Sequence, residues 1–308
     1  MKTRPDTVAL ALVLFTGVSL VLWQVLAGRV PSAVQWTVFA ALMLGGGIPH
    51  GALDHLIVAE TDRREGRAPS WIRFLSSYLL ILALYALAWR VVPVWSLGAF
   101  VLLSAWHFGE ADLEGTPDTG RWLIARILTG GFALALLLLT HAAEVTPILE
   151  RLTRQHEPAL WLWRQAVSVA APLLLGFGAL VTGIARNGPA RGDRNVWWLG
   201  WAGVLLLGCF LPLLLAFALY FGGWHAWRSF RAIHRYLGER HDAPPSLPRL
   251  WMKALPFTAL ALGALPLMAA AWRVTGQRAD PLPLLFVFLA VITLPHLRVM
   301  HGLHRRLA

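Results

Sequence analysis

The sequence predicts an all-α, polytopic transmembrane bundle of about ten helical segments, on three observations. Hydrophobic residues fill 57% of the 308 positions and charged residues only 14%, with a mean hydropathy of +0.59. A water-exposed surface on a chain of this size needs more charge than that. Apolar runs of spanning length then recur, most clearly at 8–27, 74–92, 122–140, 160–184 and 284–294 with its flanks. About 20 apolar residues cross a hydrocarbon core, and backbone in lipid must satisfy its own hydrogen bonds, so these runs are helices. Finally, the alternating pattern of a membrane barrel is absent.

In chain order the segments are 8–27, 33–50, 72–90, 94–108, 122–140, 160–184, 196–211, 213–235, 251–272 and 283–301. The first is read as a span, being long for the apolar region of a cleaved signal peptide. The stretch 196–230 is too long for one span, and Pro212 divides it with almost no loop. There is no low-complexity linker, repeat or soluble insert, so residues 1–308 read as a single integral membrane domain.

Basic residues set the orientation. With the N-terminus inside, the inner segments hold Lys2, Arg4, Arg63, Arg64, Arg67, Arg73, Arg121, Arg228, Arg298 and Arg305, among others. The outer segments keep Arg29, Arg90, Arg151, Arg154, Arg164, Arg273 and Arg278. This bias predicts a multi-pass protein of the inner (plasma) membrane with both termini cytoplasmic. The formal charge of +11 is therefore a topology signal, and no nucleic-acid partner is expected. One cysteine, Cys209, sits in an apolar run and excludes an internal disulfide or a cysteine-rich metal site.

The eleven histidines are unevenly spread. Four short motifs each end an even-numbered segment: Gly-Ile-Pro-His-Gly-Ala-Leu-Asp-His at 47–55, Ser-Ala-Trp-His-Phe-Gly-Glu-Ala-Asp at 104–112, Tyr-Phe-Gly-Gly-Trp-His at 220–225, and Pro-His-Leu-Arg-Val-Met-His at 295–301. On this topology all four ends lie near the cytoplasmic side. Imidazole in or near hydrocarbon is costly unless paired or ligating. His50, His107, His225 and His296 at one depth therefore predict a metal site, with His55 and His301 as additional candidates. Neutral imidazoles with few carboxylates suit Fe, Zn or Cu.

Asp54 lies four residues after His50 on nearly the same helical face, where it can ligate or fix a histidine tautomer. Asp112 and Glu110 can serve His107 in the same way. Gly45, Gly46, Gly47, Gly51, Gly109, Gly222 and Gly223 allow the helices to approach closely, and Pro49 and Pro295 bend the chain beside His50 and His296. His141, His156, His234, His241 and His304 read as interfacial residues.

At these motifs the chain resembles the Brp/Blh family, the membrane β-carotene 15,15′-dioxygenases. The resemblance rests on Pro-His-Gly-Ala-Leu-Asp-His (49–55), Ser-Ala-Trp-His-Phe-Gly-Glu-Ala-Asp (104–112), Tyr-Phe-Gly-Gly-Trp-His (220–225) and Pro-His (295–296). It implies cleavage of the central double bond of β-carotene by O₂ to give two molecules of retinal. It implies Fe(II) as cofactor, held by His50, His107, His225 and His296, with Asp54 and Asp112 as the carboxylates acting at the site. The partners it implies are an apolar carotenoid, O₂ and the bilayer. Trp106, Phe108, Phe221, Trp224 and Trp227 adjoin the histidines and are candidates to line a substrate tunnel. One departure stands out: the family's third motif usually carries a second histidine four residues after the first, and here that position is Ser229.

Two other readings compete. A di-iron hydroxylase or desaturase needs paired histidine boxes, which are missing. A metal-ion transporter needs ionisable groups along a path, yet mid-span segments such as 132–139 and 204–207 hold none.

Overall fold

A computed structural model describes residues 5–187, 194–239, 246–274 and 281–307. Among these, the chain forms fourteen α-helices and no strand. Helix α1 (Pro5–Ala27) precedes α2 (Ser32–Leu42), which runs into a π-helical turn, Met43–Gly47. A 3-10 turn (Gly51–Leu53) and α3 (Asp54–Arg64) follow. The long helices α4 (Trp71–Val91), α5 (Pro93–Asp112) and α6 (Gly120–Thr140) come next, then the shorter α7 (Ala142–Leu152) and α8 (Glu157–Ser168). Then come α9 (Ala170–Asn187), α10 (Arg194–Cys209) and α11 (Leu213–Phe217), which passes through a second π-helical stretch, Ala218–His225, into α12 (Ala226–Gly238). Helices α13 (Leu247–Val274) and α14 (Pro281–Leu307) close the described chain.

Among the described residues, seven helical stretches are long and apolar enough to cross a membrane. Their outer faces carry unpartnered apolar side chains, such as Phe15 (71% exposed), Leu26 (83%) and Ile72 (83%). Patches of this kind are costly in water and cost nothing in lipid. The chain is a membrane protein.

Most predicted segments appear with ends shifted by a few residues, and Pro212 caps α11 where the break was expected. The run at 160–184 divides into α8 and α9 at Val169, because Pro172 lacks the N–H that would bond the Ser168 carbonyl. Helices α3 and α7 lie where no segment was predicted. Both mix charge with apolar residues, so hydropathy passes over them, but each buries one stripe: Ile57 in α3, and Val145, Ile148 and Leu152 in α7.

Two close approaches place the site. A Cβ on Gly109 would fall 1.8 Å from the Arg126 carbonyl oxygen, and one on Gly130 would fall 2.0 Å from the Ala105 oxygen. Only glycine at both positions lets α5 and α6 touch backbone to backbone. Similarly, a Cβ on Gly46 would meet the Gly222 oxygen at 3.2 Å, and one on Gly222 would meet the Met43 side chain at 2.5 Å, so the two π-helical stretches press together. One apolar cluster joins α1, α6, α10 and the second π stretch through Leu20, Leu137, Trp201 and Leu219. Another joins α3, α12, α13 and α14 through Ile57, Ile233, Leu250 and Met300.

Candidate metal centre

His50 follows the first π-helical turn and His225 ends the second, while His107 sits in the last turns of α5 and His296 in α14 just after Pro295. A π turn adds a residue to the helical repeat and redirects the side chains that follow; such turns gather at functional sites. Pro295 removes the hydrogen bond to the Val291 carbonyl and loosens α14 one residue before its histidine.

The four rings face one another in a closed circuit. His50 and His296 are 5.0 Å apart between ring centres, His296 and His107 5.2 Å, His107 and His225 4.8 Å, and His225 and His50 5.6 Å. His50, His107 and His296 each offer a nitrogen within 4.8 Å of the other two; among the described residues this is the one group of at least three His, Cys, Asp or Glu residues so placed. All four histidines are buried.

The donor set fits a metal ion. Both nitrogens of His107 and of His225, and Nε2 of His296, have no hydrogen-bond partner. An unpartnered buried polar atom costs about 1–3 kcal/mol, and native interiors avoid it. A shared cation would satisfy one nitrogen of each of these three rings. The other nitrogen of two ligands is already held: His50 Nδ1 lies 3.1 Å from the Gly46 carbonyl, and His296 Nδ1 lies 2.8 Å from Asp54 Oδ1. Each contact fixes a tautomer that leaves Nε2 free to ligate. Tyr78 donates to the second Asp54 oxygen at 3.3 Å, completing a Tyr78–Asp54–His296 chain.

The remaining candidates fall elsewhere. Asp112 accepts hydrogen bonds from Trp224 Nε1 (2.8 Å), Trp201 Nε1 (3.0 Å) and Tyr220 Oη (3.1 Å), and none from His107. Its carboxylate ties the end of α5 to the residue preceding His225. Glu110 pairs with His301 Nδ1 at 2.7 Å and lies 3.9 Å from Arg126, so His301 is engaged outside the four-ring circuit. His55 stacks on Phe257 at 4.6 Å and on Trp71 at 5.3 Å. Ser229 is fully buried and its hydroxyl has no partner. Two histidines expected at the interface are instead buried: His141 bridges the Leu137 and Leu211 carbonyls at 2.7 Å each, and His304 leaves both nitrogens unpartnered.

Beside the rings lies an apolar cavity of about 380 Å³, with His50, His107, His296 and His55 in its wall. Of the five aromatics beside the histidine motifs, Phe108 and Phe221 line this cavity and Trp106, Trp224 and Trp227 do not. Trp106 packs on His301 at 4.8 Å, and Trp224 is the Asp112 partner. The other aromatics of the wall include Phe74, Tyr78, Phe100, Phe217 and Phe257. Phe74, Tyr78 and Phe257 stand far from the histidine motifs, so nothing in the sequence distinguished them from core residues.

The family model for beta-carotene 15,15'-dioxygenase matches residues 40–304. A beta-carotene 15,15'-dioxygenase of an uncultured marine bacterium (66A03) is 27% identical over 276 residues, covering 88% of this chain and 94% of that protein. A probable beta-carotene 15,15'-dioxygenase Blh of Halobacterium salinarum is 28% identical over 335 residues, covering 96% of this chain and 89% of that protein. No solved structure matches. The matched region spans the histidine motifs and every helix that places them, and the chain accordingly belongs to the beta-carotene 15,15'-dioxygenase family.

Proposed function

We propose that this chain is an iron-dependent membrane dioxygenase that cleaves the central double bond of β-carotene, or of a related carotenoid, with O₂ to give retinal. The observation that carries the reading is the four-histidine circuit set into the wall of an apolar, aromatic-lined cavity. The family and the two relatives, a beta-carotene 15,15'-dioxygenase and a probable one, support the same reading.

On this reading Fe(II) is held by His50, His107, His225 and His296, and when bound it supplies the means of bringing O₂ to react with an alkene. Ser229 adds no ligand to these four, since a hydroxyl is a poor iron ligand. Asp54 orients His296 and is held in turn by Tyr78. Asp112 works as an anchor that sets His225 against His107. Phe108 lies 4.6 Å from the His225 ring and Phe221 6.0 Å from that of His50, so a polyene resting against these two side chains in the cavity would lie alongside the ligands. The apolar wall excludes water and holds one double bond at the histidine end, so the protein's contribution is positioning. We place the protein in the plasma membrane, with the histidines toward the cytoplasmic side, and an apolar substrate enters from the bilayer.

The test is retinal formation in a β-carotene-accumulating bacterial host expressing this chain, beside His107→Ala. Retinal from the wild type and none from the variant is the expected result. Unchanged carotene, with well-expressed protein that holds iron, would assign the site to another substrate.

A further inference from the structure

A second cavity, of about 270 Å³, lies between α3, α4 and α14. Its wall holds Arg67, Arg73, Arg298 and Arg306 against one lining carboxylate, Asp62. Arg67 is engaged by Asp62 at 2.9 Å and by Glu65, and Arg306 also pairs with Glu65. Among the described residues, the Arg73 side chain reaches only a backbone oxygen, that of Ala68 at 3.3 Å, and Arg298 makes no hydrogen bond or ion pair. Both are exposed. Two guanidinium groups are thus left over in a concave site, which suits neither a carotenoid nor a bare apolar chain.

The cavity sits at one end of the bundle. The α4 span begins at Trp71 and the α14 span ends at Leu307, so Arg73 and the Arg298–Arg306 turns stand at the same end of the bundle. Ile72, beside Arg73, is 83% exposed on the lipid-facing surface. Basic pockets between transmembrane helices at headgroup depth take anionic phospholipid, and arginine pairs with phosphate oxygens through its planar fork. We propose that this cavity binds the phosphate headgroup of an anionic phospholipid, with Arg73 and Arg298 as its principal contacts. The headgroup packs against Tyr78, which lines both cavities and donates to Asp54.

The experiment uses the purified full chain in phosphatidylcholine nanodiscs, with phosphatidylglycerol added in steps. Lipid retained on the protein is read by native mass spectrometry, and the unfolding temperature is followed in parallel. The wild type should select phosphatidylglycerol and gain thermal stability with it. Arg73→Gln/Arg298→Gln should lose that selection by roughly tenfold or more, and Arg298→Lys should keep most of it. Equal retention by wild type and double variant would overturn the proposal. A stability gain from inorganic phosphate alone would overturn it too, assigning the site to a soluble anion. Neither readout needs turnover, so the result is separate from the carotenoid reading.

Discussion

His296 Nδ1 lies 2.8 Å from Asp54 Oδ1, joining two residues 242 positions apart, and Asp54 stands one turn after another candidate ligand, His50. The contact leaves His296 Nε2 facing the other imidazoles with no other partner. Asp54→Ala removes the group that fixes this tautomer. Loss of such a partner weakens metal binding by about 10–100-fold, and iron affinity of the purified protein should fall by that amount while the fold is kept. Asp54→Asn, which can still accept from Nδ1, should fall between the two.

The ring circuit excludes His301, which is paired with Glu110 instead. His301→Ala should therefore retain iron near the wild-type level, whereas His225→Ala should lose it. Metal content per folded chain checks both variants in one assay.

Asp112 accepts three hydrogen bonds from buried donors. Asp112→Ala leaves Trp201, Tyr220 and Trp224 unpartnered at about 1–3 kcal/mol each, so the protein should be destabilised by several kcal/mol. Thermal unfolding should show the loss. If Asp112 were instead a catalytic group, the variant would fold normally and lose turnover alone.

The backbone contact at Gly109 leaves no space for even one carbon. Gly109→Ala should force α5 from α6 and displace His107, costing about 1–3 kcal/mol or more and lowering the yield of folded protein. Gly120, with nothing within 4 Å of an added Cβ, should tolerate the same change at a normal yield.

Ala264 lines the apolar cavity and carries no ligand group. Ala264→Trp should fill it, removing product formation while iron stays bound. Product assay and metal analysis on the same preparation separate the two effects.

Much of this was legible in the chain. Long apolar runs are selected by the bilayer one helix at a time, so α1, α4, α6 and α14 follow from hydropathy alone. The four histidines that meet were marked by their short motifs and by the cost of imidazole in hydrocarbon, although His225 and His296 stand inside helical stretches and not at their ends as expected. What escaped was set by tertiary contact. The destination of the Asp112 carboxylate depends on Trp201, 89 residues away, and the two π-helical stretches depend on the Gly46–Gly222 approach. Tyr78 and Phe257 are ordinary aromatics until packing places them in the cavity wall. Helix α7 is too polar to resemble a span and is held by the stripe it buries against α14.

The central claim is that four imidazoles from separate segments hold one iron. Its most direct test is elemental analysis of the protein purified in the presence of Fe(II), for the wild type and for His50→Ala, His107→Ala, His225→Ala and His296→Ala. Stoichiometric iron is expected in the wild type, with a large loss in each variant that still folds. Iron retained in full by the His225 and His296 variants, or absent from the wild type, would contradict it.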